Sequence, residues 1–263
     1  MATRASLSLV LDTSDLKSGR STHKVSIESF ILPGKFIYNN ENKTVYLLRR
    51  IFNRLIRVSK IQVGKNYISD VVGYDSNLNS ITKSISLSGY FQSYKYVEPH
   101  LQLFKDLKLR KPSKHFLEIR KQITSSPSTA IHVRRGDYLN LSHQFGLLDS
   151  IYYRNAFEII KELHPNQNVY IFSDDIRIAK KLLSGIVPSN SWWIDEKFGA
   201  AESLLLMSYS SAIIIANSTF SWWGAMLGNE KTVIAPKKWF KSLNDPEFLY
   251  PPSWKLITSH WIK

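Results

Sequence analysis

Three short runs combine residue types suited to holding a phosphorylated ligand. The first is His132-Val133-Arg134-Arg135-Gly136-Asp137. Two adjacent guanidinium groups stay charged and grip phosphate oxygens through paired N–H donors. Gly136 lets the backbone turn sharply just after them. The same run also suits a surface ion-pair cluster, with Asp137 answering Arg134 or Arg135. The second run is Ser173-Asp174-Asp175. One of these polar side chains suits the ribose or base of a nucleotide, and the run equally suits an N-cap for a helix beginning at Ile176. The third is Asn217-Ser218-Thr219-Phe220-Ser221-Trp222-Trp223-Gly224. Small hydroxylated residues opening a helix favour phosphate, because free backbone N–H groups and the helix dipole face the anion. An ordinary capped helix with both tryptophans in the core reads just as well. Asn217-Ser218-Thr219 is also a glycosylation sequon, but a turn between a buried strand and a helix is a poor place for a glycan.

The elements expected around these runs put all three at strand ends. Ala130 to Val133, Val169 to Phe172, Ala212 to Ala216 and Thr232 to Ala235 are short apolar runs of strand type. Between them, Tyr152 to Leu163, Ile176 to Leu183, Glu202 to Tyr209 and Phe220 to Leu227 read as helices, the last closed by Gly228. Strands alternating with helices predict a parallel sheet covered on both faces, with ligands at the carboxyl ends of the strands. The first half is less regular. Leu7 to Leu11 is an apolar run, Val25 to Ile37 alternates loosely, and Ser84 to Phe91 looks like a strand. Val45 to Val58 has the spacing of a basic amphipathic helix, and Val97 to Leu109 that of another helix. Thr124-Ser125-Ser126-Pro127-Ser128 is small, polar and broken by proline, so it reads as a linker. The expected domains are 1–125 and 126–263.

Bulk properties narrow the classes. The 263 residues carry a formal charge of +14 and no cysteine. Disulfides, a thiolate nucleophile and Cys-ligated metal are excluded. The charge fits a basic solvated surface, or attraction to anionic partners such as a nucleotide diphosphate or an anionic membrane face. Lys and Arg are spread along the chain, and no nucleic-acid-binding motif appears, so no nucleic-acid partner is expected. No apolar run approaches the roughly 20 residues that span a bilayer, and the first residues lack a signal-peptide layout. A cytoplasmic chain, with peripheral contact to the inner membrane face, is the expectation.

In order along the chain, GYFQS at Gly89 to Ser93, HVRRGDY at His132 to Tyr138 and IFSDD at Ile171 to Asp175 resemble the α-1,2-fucosyltransferases of glycosyltransferase family 11. LLLMS at Leu204 to Ser208, IIIANSTFSWWGAML at Ile213 to Leu227 and IAPKKWF at Ile234 to Phe240 extend the likeness, with a looser match of LDTS at Leu11 to Ser14. The resemblance implies an α/β protein of GT-B type, two Rossmann-like domains with the second binding GDP-fucose. It implies inverting transfer to the 2-hydroxyl of a galactoside with no metal and no cofactor. Carried over, Arg134 and Arg135 bind the diphosphate, and Ser218, Thr219 and Phe220 line the same pocket, flanked by Asn217 and Ser221. Ser173, Asp174 or Asp175 lies near the nucleoside. Asp137 is the candidate base or an orienter of the arginines, and His132 packs behind them. The family's glycine-rich loop ahead of LDTS has no counterpart between Met1 and Leu11. An incomplete N-terminal domain and weak or absent activity are therefore expected. The alternatives are a GDP-fucose transferase of another linkage and a GDP-sugar-binding protein without turnover.

Overall fold

The computed structural model describes residues 26–31, 66–69, 71–83, 85–195 and 197–262. The apolar run at Leu7, LDTS and the amphipathic stretch from Val45 lie outside the described residues, as does most of the Val25 to Ile37 run. The chain divides into two compact units, one of residues 1–96 and 246–249, the other of 97–245 and 250–263.

In the first unit, Asn66–Ile68 pairs in parallel with Ser86–Ser88, so the strand expected near Ser84 is present but short. A buried carboxylate organises the neighbouring turn. Asp75 accepts from Tyr67 Oη (2.6 Å), Ser69 Oγ (2.8 Å) and the Asn77 N–H (3.1 Å). Burial and this acceptor push the Tyr67 phenol up to about 12. Ser93, the last residue of GYFQS, is buried and donates to the Phe248 carbonyl at 2.9 Å.

The second unit holds six parallel strands: β1 (Ser128–Val133), β2 (Asn168–Ser173), β3 (Trp192–Ile194), β4 (Ala212–Ile214), β5 (Thr232–Pro236) and β6 (Lys255–Ile257). Their order is β6-β5-β4-β1-β2-β3. Every pairing is parallel. The helices are α1 (Lys114–Ser125), α2 (Ser150–Leu163), α3 (Ile176–Leu183), α4 (Ala200–Ser208) and α5 (Thr219–Met226). Every residue of β1 is buried, as befits a central strand covered on both faces. Alternate residues Ile131 and Val133 join Ile171, Ile214 and Ile234 in one core under α2 and α3. His132 points the other way, its ring 5.5 Å from that of Phe220 on α5. The α/β class and the four strands and four helices expected in the second half are present, while β3 and β6 are strands beyond those expected.

Two segments differ from expectation. Val97 to Leu109 is not an α-helix. Glu98–Leu103 is a 3-10 helix and Lys108–Leu109 is extended. The half-buried residues Leu101, Phe104 and Leu107 recur every third position, which fits the three residues per turn of a 3-10 helix. Their turns close with N–H groups of Phe104 and Leu107 on carbonyls three residues back. The Thr124 to Ser128 stretch is the end of one element and the start of the next. Thr124 and Ser125 finish α1, and Ser128 opens β1. α1 packs on α4 within the second unit, and the division between the compact units falls at Tyr96–Val97.

Candidate functional site

The strand order places a reversal beside β1. The chain runs outward through β2 and β3, returns to β4 on the opposite side of β1, and continues to β5 and β6. Crevices at such reversals, outside the carboxyl ends of the strands, are where open α/β sheets bind ligands. Arg134 follows β1 there, and α5 begins just after β4.

Arg134 is held from two sides. Its Nη2 lies 2.5 Å from Asp137 Oδ1, and its Nη1 3.1 Å from Asp174 Oδ2. The guanidinium sits 5.2 Å from the centre of the Tyr138 ring, while its side chain keeps 17% of its surface exposed. A charged, oriented fork with an open edge is therefore presented at the crevice. Arg135 is used differently. It is 1% exposed, and its Nη1 and Nη2 donate at 2.7 Å to the carbonyls of Arg134 and Leu148. It touches no carboxylate through its side chain among the described residues, so it adds buried positive charge behind Arg134. Its backbone N–H donates to Asp174 Oδ1 at 2.8 Å. Asp174 thus ties both arginines to the end of β2. Gly136 suits that approach, since a Cβ there would collide with the Asp174 carboxylate that Arg134 and the Arg135 N–H hold in place.

The other polar residues divide in the same way. Asp175 caps α3, accepting from the Ile178 N–H at 2.9 Å, and Ser173 accepts from the Asp175 N–H at 3.1 Å. Asn217 is buried, and its amide donates to the carbonyls of Phe145 (2.8 Å), Gly146 (3.4 Å) and Trp239 (3.1 Å). Ser221 is fully buried and donates to the carbonyls of Ala216 and Ser218. Ser218 occupies the N-cap of α5, yet its side chain makes no capping bond. The first backbone N–H groups of α5, at exposed Thr219 and half-exposed Phe220, are left for another acceptor. Arg134 and this uncapped helix start flank the reversal.

His132 is buried, and burial first, then the charges of Arg134 and Arg135, hold its imidazole down to about 3. It is neutral at ordinary pH and serves as a packing group against Phe220. Sequence reasoning passes over two residues that fix this edge. Tyr153 Oη donates to the His132 carbonyl (3.1 Å) and Tyr152 Oη to the Ile215 carbonyl (2.7 Å). One helix thereby pins the ends of both strands at the reversal. The available signal is a polar-tipped pair on the apolar face of α2, where a buried hydroxyl demands a partner.

Comparison with known proteins identifies the family. The model of Glycosyl transferase family 11 matches residues 41–258. The O-antigen biosynthesis glycosyltransferase WbnK of Escherichia coli is 28% identical over 275 residues, covering 94% of this chain and 89% of the relative. An alpha-1,2-colitosyltransferase of Escherichia coli is 31% identical over 182 residues, covering 64% of this chain and 61% of the relative. A galactoside 2-alpha-L-fucosyltransferase of Caenorhabditis elegans is 27% identical over 189 residues, covering 64% and 51%.

Proposed function

The chain belongs to glycosyl transferase family 11, and on that premise we propose that it moves fucose from GDP-fucose to the 2-hydroxyl of a galactoside, with inversion and without a metal. The observation that carries this reading is Arg134, clamped by Asp137 and Asp174 and open at the sheet's reversal beside the uncapped start of α5. Breaking the sugar–phosphate bond builds negative charge on the departing GDP and positive charge on the sugar. Donors fixed where that negative charge grows lower the barrier. In this reading Arg134 and the N–H groups of Thr219 and Phe220 grip the diphosphate, with the Ser218 and Thr219 hydroxyls beside them. Arg135, Asp174, Asn217 and Ser221 position that edge, and His132 packs behind it. Ser173 and Asp175 border the nucleoside side. Asp137 is committed to Arg134, which supports an orienting role over that of base for the acceptor hydroxyl.

On this reading the second unit is the GDP-sugar side of a GT-B architecture, and the first is the acceptor side. The basic surface supports a peripheral position at the cytoplasmic membrane face. Among the described residues no helix is long and apolar enough to cross a membrane.

One observation favours a second donor sugar. The relative that is 31% identical is an alpha-1,2-colitosyltransferase. Colitose is fucose without its 3-hydroxyl, so the two products differ in mass by one oxygen. The test is incubation with GDP-fucose, or the corresponding colitose donor, over a galactoside panel, followed by product mass and linkage analysis. An added deoxyhexose on the 2-hydroxyl is expected. GDP binding without product would favour a binding protein, and another linkage would overturn the assigned acceptor position.

A further inference from the structure

The opposite edge of the second unit's sheet carries features that sugar transfer does not use. A cavity of about 660 Å³ opens beside α1 at the amino ends of the strands. Its walls mix apolar residues, Leu107, Leu109, Phe116 and Leu205 among them, with polar ones; Lys105, Lys108 and Arg120 bring three positive charges to it against the two carboxylates of Asp106 and Glu230. Ser210 lines the same cavity. This residue is 2% exposed, and its hydroxyl has no hydrogen-bond partner. An orphaned buried hydroxyl facing a cavity leaves an open place for a polar ligand atom.

The surroundings extend the pattern. Residues 105–121 hold seven Lys or Arg and two acids. All seven are exposed, and none makes an ion pair among the described residues. On α1, Lys114, Leu117 and Lys121 fall at i, i+3 and i+7, so they share one helix face. Leu117 is 47% exposed and lines the cavity. An excess of basic side chains around a partly apolar, partly open cavity matches an anionic head group carrying hydrocarbon.

We propose that this edge docks the protein on an anionic phospholipid membrane, with a lipid phosphate seated in the cavity and the cations of residues 105–121 engaging the surface around it. Nucleic acid fits less well, because the Phe116 ring in the wall is buried and the half-buried Tyr209 ring is already faced by Arg120, so the wall offers no exposed ring on which bases would stack. The docking edge is distinct from the crevice at Arg134 and stands whether or not the transferase reading holds.

The test is sedimentation of the whole chain with vesicles of phosphatidylglycerol and phosphatidylcholine, against vesicles of phosphatidylcholine alone. Binding to the anionic vesicles only, weakened by added salt, is expected. The combined variant K105Q/K108Q/K111Q/K114Q removes four exposed charges and should lower partitioning on the order of 100-fold or more. Its GDP binding and far-ultraviolet circular dichroism should match the parent, since none of the four touches the crevice. S210A tests the cavity separately and should weaken anionic-vesicle binding several-fold with the fold intact. Equal partitioning of the parent and the fourfold variant would overturn the proposal. So would release from vesicles by inorganic phosphate at constant ionic strength, which reassigns the cavity to a soluble anion. Salt-sensitive binding of single-stranded RNA without vesicle binding would replace the lipid with nucleic acid.

Discussion

Arg134 and Arg135 share chemistry and differ in what their guanidinium groups meet. Arg134 is bound by two carboxylates and open at one edge, whereas Arg135 spends its terminal nitrogens on the carbonyls of Arg134 and Leu148. Side chains leaving a strand alternate in direction, so adjacent arginines cannot both face one ligand without distortion. Arg134→Ala should therefore lower kcat by about 100-fold or more, the usual cost of losing a fixed donor to developing charge. Its unfolding midpoint in urea should move little, because partly exposed ion pairs contribute at most about 1 kcal/mol. Arg135→Lys should do the reverse. A lysine cannot reach both carbonyls, and a buried unpaired carbonyl costs about 1–3 kcal/mol. Urea unfolding together with GDP calorimetry separates the two variants. An Arg135→Lys protein of parental stability that no longer binds GDP would return Arg135 to the diphosphate.

At the level of elements, the start of α5 depends on a clamp reaching back across the chain. Asn217 gives its amide hydrogens to carbonyls of the loop ahead of α2 and of Trp239. Asn217→Asp would set a carboxylate oxygen against those carbonyls in a buried place. A loss of about 3–5 kcal/mol is expected, as when a buried charge is left without its partner. Asn217→Ala should cost less, since it only leaves the carbonyls unpaired. Both are read from chemical unfolding curves; if Asn217→Asp unfolds like the parent but loses GDP, Asn217 faces the ligand. This clamp also marks how far the sequence is legible. The strands β1, β2, β4 and β5 stand out as apolar runs ended by Arg-Arg-Gly, Ser-Asp, Asn-Ser and Pro-Lys turns respectively, and the site runs stand at the first three of those ends. The direction taken by Asn217, Ser221 and Arg135 does not stand out, because polar types suit a backbone carbonyl as well as a phosphate. α1 is hidden for another reason: Phe116, Ile119 and Ile123 are its buried residues, and its serine-rich end resembles a linker.

Across the second unit as a whole, positive charge is gathered around the end of β1, and the buried His132 registers it. The imidazole lies under Phe220, with Arg134 and Arg135 following it in the chain. Burial first, and then those two charges, hold it at about 3, against 6.5 ordinarily. Above pH 6.5 the histidine is neutral whether the chain is folded or not, so it contributes nothing to pH dependence. Between 6.5 and 3 the unfolded chain binds a proton that the folded chain refuses, and stability must fall as the pH falls. At pH 4.5 this single group should cost about 2–3 kcal/mol relative to pH 7.5. His132→Leu removes the titration while keeping an apolar side chain of similar size. Its packing cost is the same at both pH values and cancels when only the pH difference is compared. Urea unfolding of parent and variant at pH 7.5 and 4.5 should show a smaller acid loss in the variant by that amount. Equal acid losses would mean that His132 takes its proton inside the fold, and that the edge bearing Arg134 and Arg135 is better solvated than its burial implies.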